Sequence, residues 1–137
     1  MGEDVAFVQT FYIGASSDIV WQALVDPEMV EQYHARPLTQ LELKEGGSIS
    51  YGEGDPKSIT GRVIKMSDGE KLVHSFAYSH LPQDEVSRVS YSIEPRGGAS
   101  LLTVTHDGFG GRSQTYESAC SEWPAILHKL KVVLEAA

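Results

Sequence analysis

Residues 87–94, SRVSYSIE, alternate without a break: Val89, Tyr91 and Ile93 against Arg88, Ser90 and Ser92. Successive side chains on a strand point to opposite faces, so this pattern makes one apolar face and one wet face. The same rhythm holds from Leu38 to about Asp107. GGSISYG reads as one strand and SITGRVIKM as another, closed by a turn at Asp68-Gly69. EKLVHSFAY returns from that turn as the hairpin partner, and Arg96-Gly97-Gly98 turns the chain again into ASLLTVTHD. On that last strand Leu102, Val104 and His106 share one parity; on the earlier one Leu72, His74, Phe76 and Tyr78 do.

The flanks have a different period. VAFVQTFYI, residues 5–13, is β-branched and aromatic and reads as a strand. GASSDIVWQALVD then switches to helical spacing, with Ser16 or Ser17 as cap and Asp18 in the first turn. Ile19, Val20, Ala23 and Leu24 are expected on its apolar side, with Trp21 beside them. Asp26-Pro27 stops that helix, and Pro27 opens a short second one, PEMVEQYHA. The chain closes with SACSEWPAILHKLKVVLE, whose apolar side carries Trp123, Ile126, Leu127, Leu130, Val133 and Leu134. Glu122, Lys129, Lys131 and Glu135 are assigned to its wet side. Pro124 has no N–H for the carbonyl of Cys120, so either a helix restarts near Ser121 or a longer helix is kinked there. The longer kinked helix is preferred. Strand, two short helices, a run of strands and a last long helix argue for α+β: a curved antiparallel sheet wrapped around the final helix.

At 137 residues the chain is expected to form one domain, spanning 1–137, large enough to be stable without a disulfide or metal. A net charge of −8 argues against nucleic acid and against anionic membrane surfaces as partners. Cys120 is the single cysteine, which excludes an internal disulfide and any cysteine metal cluster. The start, MGEDVAFVQTF, has no signal-peptide pattern, and Ala6 replaces the Ser or Thr of a myristoylation signal. No stretch nears the roughly 20 apolar residues of a membrane span. A cytoplasmic location is expected.

Motifs spread over nearly the whole chain resemble the helix-grip superfamily known as SRPBCC or START-like. The resemblance is strongest to the branch of the activator of heat-shock-protein-90 ATPase, C-terminal domain. That branch shows W-x-A-L-x-D-P-E, G-x-V, L-V-x-x-W, L-T-x-T-H and W-x-x-x-L-x-x-L-K in this order. Here they stand as Trp21 to Glu28, GRV at 61–63, LVHSF at 72–76, LLTVTH at 101–106 and WPAILHKLK at 123–131. The chain departs from the pattern at Tyr33 and Phe76, where the family often has tryptophan, and at Glu122, where it commonly has glycine. The resemblance implies a helix-grip fold of about seven strands, two short helices and a long C-terminal helix. It also implies a cavity between sheet and helix.

The candidate lining of that cavity is Tyr33, His74, Phe76, Tyr78, Tyr91, Val104, His106, Cys120, Trp123 and Leu127. A mostly apolar space with a few polar tips suits a small molecule. Taken singly, each Tyr or His is better read as a core residue with its tip satisfied or wet. No catalytic group is assigned. His106 and Asp107 are strand neighbours and point apart. The histidines His34, His74, His80, His106 and His128 have no metal-ligand spacing, and His80 and His128 read as solvent-facing. GEGDPKS and GFGGRS lack the Gly-Lys-Ser/Thr end of a phosphate loop and are better read as turns; Arg112 could hold an anion at the mouth of the last helix, the less favoured reading. Cys120 has no motif partner and reads as a buried, inert thiol. No cofactor is expected. The expected function is non-enzymatic binding of a small hydrophobic or amphipathic ligand. The resemblance carries two alternatives: interaction with a chaperone or other protein, and a cyclase-like enzyme using the same cavity.

Overall fold

The computed structural model describes residues 5–136. Most of the N-terminal signal and myristoylation reading therefore lies outside the described residues. Strand β1 is Phe7–Ile13; helices α1, Ser17–Val25, and α2, Pro27–Val30, follow. Then come β2 Leu38–Leu41, β3 Ser48–Tyr51, β4 Ile59–Ser67, β5 Lys71–Tyr78, β6 Ser87–Arg96 and β7 Ala99–Asp107. Helix α3, Gln114–Glu135, closes the fold. The seven strands form one antiparallel sheet in the order β1-β7-β6-β5-β4-β3-β2. This is the α+β architecture expected from the order of patterns, and the seven-strand helix-grip arrangement that the resemblance implies.

Local chemistry sets the boundaries. The first strand begins at Phe7 rather than Val5, because Phe7 pairs with His106 near the end of β7 and the chain leaves the sheet at Gly108 (φ 77°). Ser16 caps α1, its hydroxyl accepting from the Ile19 amide at 3.4 Å. The Asp26 carboxylate accepts from the Glu28 amide at 2.9 Å and starts α2, with Pro27 in the first turn. Inside α1 the buried side is Val20, Trp21, Ala23 and Leu24; Ile19, expected inside, is 48% exposed. Ile19 and Trp21 lie about 200° apart on a helix, so both cannot face the core, and the larger indole takes the place.

The parity of the long strands holds in three dimensions. Leu72, His74, Phe76 and Tyr78 of β5, Ser87, Val89, Tyr91 and Ile93 of β6, and Leu102, Val104 and His106 of β7 are all buried on the inner face. Gly69 (φ 77°) makes the β4–β5 turn and Gly97 (φ 64°) the β6–β7 turn. Gly61 serves a different need. A Cβ there would collide with the Ser75 carbonyl oxygen of β5, so only glycine lets the two strands approach.

Helix α3 lies on this inner face with Ala119, Trp123, Ile126, Leu127, Leu130 and Leu134 buried. It runs unbroken through Pro124, which sits on the exposed side. Both ends are fastened. At the start, Asp84 accepts from the Thr115 amide and hydroxyl, each at 2.8 Å, and Ser113 caps the first turn. At the far end, Glu135 accepts from the Gly14 amide and from Lys131, each at 2.7 Å, and Lys131 also donates to the Tyr12 carbonyl. No helix among the described residues is long and apolar enough to cross a membrane.

Candidate functional site

The first half of α3 faces β4, β5 and the segment after α2, and here the packing is incomplete. Ile59, Phe76, Ala119, Trp123 and Ile126 surround a space of about 10 Å³, with His34, Tyr78 and Glu122 at its polar end. That is room for about one water. Among the described residues, the grip at this place holds no ligand-sized cavity, because aromatic side chains fill it.

Trp123 is held by a directed chain of hydrogen bonds. Its indole N–H donates to His106 Nδ1 at 3.0 Å. An indole nitrogen only donates, so Nδ1 must be the bare nitrogen and Nε2 carries the proton. Nε2 then donates to Ser87 Oγ at 2.7 Å, and that hydroxyl donates to the Phe76 carbonyl at 3.2 Å. The chain ties α3 to β7, β6 and β5. Burial, with a smaller contribution from His74, pushes the His106 pKa down to about 3. Asp107 faces outward and pairs with Arg88 at 3.1 Å, so it does not meet His106.

The mouth is closed by charge. Arg36 is 8% exposed, and its guanidinium grips Glu122 with both carboxylate oxygens at 3.2 Å. The Tyr78 hydroxyl donates to the same carboxylate at 2.8 Å, and Arg36 stacks 5.5 Å from the Tyr78 ring centre. Burial first, then the neighbouring Glu122 carboxylate, raise the Tyr78 pKa, so the phenol stays protonated and donating. Glu122 and Tyr78 also line the floor of an outer hollow of about 180 Å³, shared with Arg36, Lys57, His80, Ser118 and Ser121. The Arg36–Glu122–Tyr78 cluster thus separates an apolar interior from a polar vestibule.

Deeper in the grip lies a polar aromatic cluster. Tyr51 stacks on His34 with ring centres 4.6 Å apart, and His74 sits 6.2 Å from Tyr51 and 6.0 Å from Tyr91. The Tyr51 and Tyr91 side chains hydrogen-bond each other, and Tyr33 donates to the Ala23 carbonyl at 2.8 Å. Burial raises the pKa of Tyr33, Tyr51 and Tyr91, that of Tyr51 to about 12. His74 Nδ1 is spent on the Ser75 carbonyl at 2.7 Å, while Nε2 is buried with no hydrogen-bond partner. Burial lowers the pKa of His74 to about 4; burial and the Arg36 charge do the same for His34, whose Nδ1 accepts from the Arg36 amide at 3.0 Å.

Of the lining residues expected from sequence, Phe76, Tyr78 and Trp123 border the space. His106 stands behind Trp123 as its support. Tyr33, His74 and Tyr91 belong to the deeper cluster, and Val104 and Leu127 are core residues below 2% exposure. Cys120, expected buried, is half-buried, and the space is bordered instead by its neighbour Ala119. Its position on the helix turns it toward the rim; what burial it has raises its thiol pKa. His80 and His128 are exposed, as read from sequence. Arg112, placed at the helix mouth, lies 5.9 Å from the centre of the Tyr116 ring. Among the described residues no three His, Cys, Asp or Glu side chains converge as metal ligands.

Glu122 is a correction: assigned to the wet side of the last helix, it is half-buried and ion-paired. Helical spacing held the signal, since positions 119, 122, 123 and 126 share a side. So did the departure from the family's glycine at that position. Arg36 carried no signal of its own.

The chain belongs to the family described as Activator of Hsp90 ATPase homolog 1-like protein, whose model matches residues 14–135. No curated protein matches it. Among solved structures it is similar to MLL2253 from Mesorhizobium loti, with TM-score 0.84, 18% identity, and 97% of this chain and 98% of that one covered. It is similar to PFC0360w, an HSP90 activator from Plasmodium falciparum, with TM-score 0.78, 20% identity and 94% and 95% covered. CalU16 from Micromonospora echinospora matches with TM-score 0.79 and 21% identity over 97% of this chain and 78% of that one. At these identities the likeness is one of fold.

Proposed function

We propose that this protein binds a small amphipathic ligand without transforming it, and that it does so in the cytoplasm. The ligand's apolar part enters between Phe76 and Trp123, and its polar part stays in the vestibule. The observation that carries this reading is the contact between an underfilled apolar space and a polar hollow, divided only by side chains. Those side chains are an ion pair at the water's edge, Arg36–Glu122, and the phenol of Tyr78. Opening them exposes a site that is mostly apolar with a few placed polar groups, the make-up small molecules need. Of the expected lining, Phe76, Tyr78 and Trp123 would touch the ligand. His106, Tyr91 and Leu127 would hold the walls.

Native mass spectrometry of the freshly purified protein, beside its denatured mass, tests the proposal. A discrete extra mass lost on denaturation supports it and gives the ligand's molecular weight. A bare chain that also takes up no amphiphile from a panel at millimolar concentration contradicts it.

Family membership favours a second reading, a module that docks on a chaperone or another protein. The two readings part at the surface. Charge reversal of the exposed Lys129 would weaken a protein partner and leave ligand uptake unchanged.

A further inference from the structure

We infer that the ligand carries a carboxylate, and that Glu122 is its built-in stand-in: a ligand carboxylate takes over the bonds to Arg36 and Tyr78 while Glu122 turns out into the vestibule. The inference rests on the ligand-binding reading above and specifies its chemistry.

Three observations support it. The first is geometric. Arg36 presents two parallel N–H groups to two oxygens of one carboxylate, each at 3.2 Å, and Tyr78 adds a third donor at 2.8 Å. That fork reads a planar anion, and any carboxylate placed there satisfies it equally. The second is the imbalance of burial. The Arg36 side chain is 9% exposed, whereas that of Glu122 is 32% exposed. The cation is fixed in the wall; the anion sits at the water's edge and is free to exchange. Solvation of Glu122 in the vestibule offsets its loss of Arg36, so the exchange leaves no buried charge unpaired.

The third is charge. The whole chain is acidic, at −8, yet the vestibule is not. Of its charged side chains, Arg36 and Lys57 line it against Glu122 alone. One net positive charge on the hollow of an acidic protein draws anions to it. Once Glu122 has swung out, Lys57 and the serines Ser118 and Ser121 remain to receive it.

The test uses octanoate and 1-octanol, which differ in the head group, titrated calorimetrically into the full chain and into Glu122→Gln and Arg36→Lys. Near-ultraviolet circular dichroism checks that each variant is folded. The native protein should prefer octanoate. Glu122→Gln removes the competing charge and keeps a side chain that bonds Arg36, so it should raise the octanoate-to-octanol preference at least about tenfold. Arg36→Lys keeps the charge but loses the fork, and should lower the preference by a similar factor. Equal binding of both probes, with a ratio unmoved in both variants, overturns the carboxylate and leaves the binding site standing. Binding of neither probe, by the native protein or by Glu122→Gln, removes both. If Arg36→Lys does not fold, Glu122→Gln decides alone.

Discussion

The two halves of α3 solve the same packing problem differently. Past Pro124, Leu127, Leu130 and Leu134 are buried against the sheet, and the end is clasped to β1 by Glu135 on Gly14. Before it, Ala119, Glu122 and Trp123 meet aromatic and ionisable partners, and a small gap remains. The dry half is filled by residues whose burial is favourable by itself, about 1.5–3 kcal/mol for each large aliphatic side chain. The polar half depends on pairing, because an unpaired group there costs more than a pair gains. The lesson is that one helix can carry stability at one end and adaptability at the other. Pro124, at the junction, cannot donate to the Cys120 carbonyl and so removes one rung between them.

Acid should separate the halves most. His34, His74 and His106 all lie at the polar end, with pKa values lowered to about 4, 4 and 3. The unfolded chain binds these protons below about pH 6.5, while the folded one does not until about pH 4 at His34 and His74 and about pH 3 at His106. This part of the stability is therefore complete above pH 6.5 and is lost as pH falls toward 4, and toward 3 for His106, at roughly 1.4 kcal/mol per unit for each histidine. Hydrogen exchange between pH 7 and 4.5 should show β5 and the first half of α3 opening before the amides around Leu130. Simultaneous opening would mean the halves are one cooperative unit.

Leu130→Ala, at a site with no exposure, should cost about 2–5 kcal/mol in urea denaturation. Recovery of most of that loss by relaxation would show the dry half to be less tightly packed than described. Ala119→Leu pushes an extra branched side chain into a gap of about 10 Å³. It should cost about 1–3 kcal/mol by overpacking and abolish ligand uptake. A stabilised Ala119→Leu protein would mean the gap is larger than the structure shows. Glu122→Gln keeps the shape and weakens a charge-assisted pair, so its cost should be the smallest, about 1 kcal/mol. A cost above that of Leu130→Ala would make the ion pair a foundation of the fold rather than a gate.

Strand parity made most of this arrangement legible in advance. Alternation turned His74, Tyr91, Val104 and His106 inward, and no other register buries the aliphatic residues beside them. The polar end was harder to read. Glu122 is a charged residue on a helix, and the sequence alone does not show that Arg36, 86 residues away, waits opposite it. The size of the gap was not legible either, because it depends on the rotamers of Phe76, Tyr78 and Trp123. Ile19 misled for a simpler reason: a helix this short has room inside for either it or Trp21.

The bond from Trp123 to His106 also makes the protein its own instrument. Trp21 and Trp123 are the two indoles of the chain, and only the second borders the gap. A Trp21→Phe protein would emit from that single ring. Its indole proton, shielded from solvent and shared with an imidazole, should give one slowly exchanging resonance. Anything that enters the grip must disturb that signal, so occupancy can be followed without a label and without knowing what the occupant is.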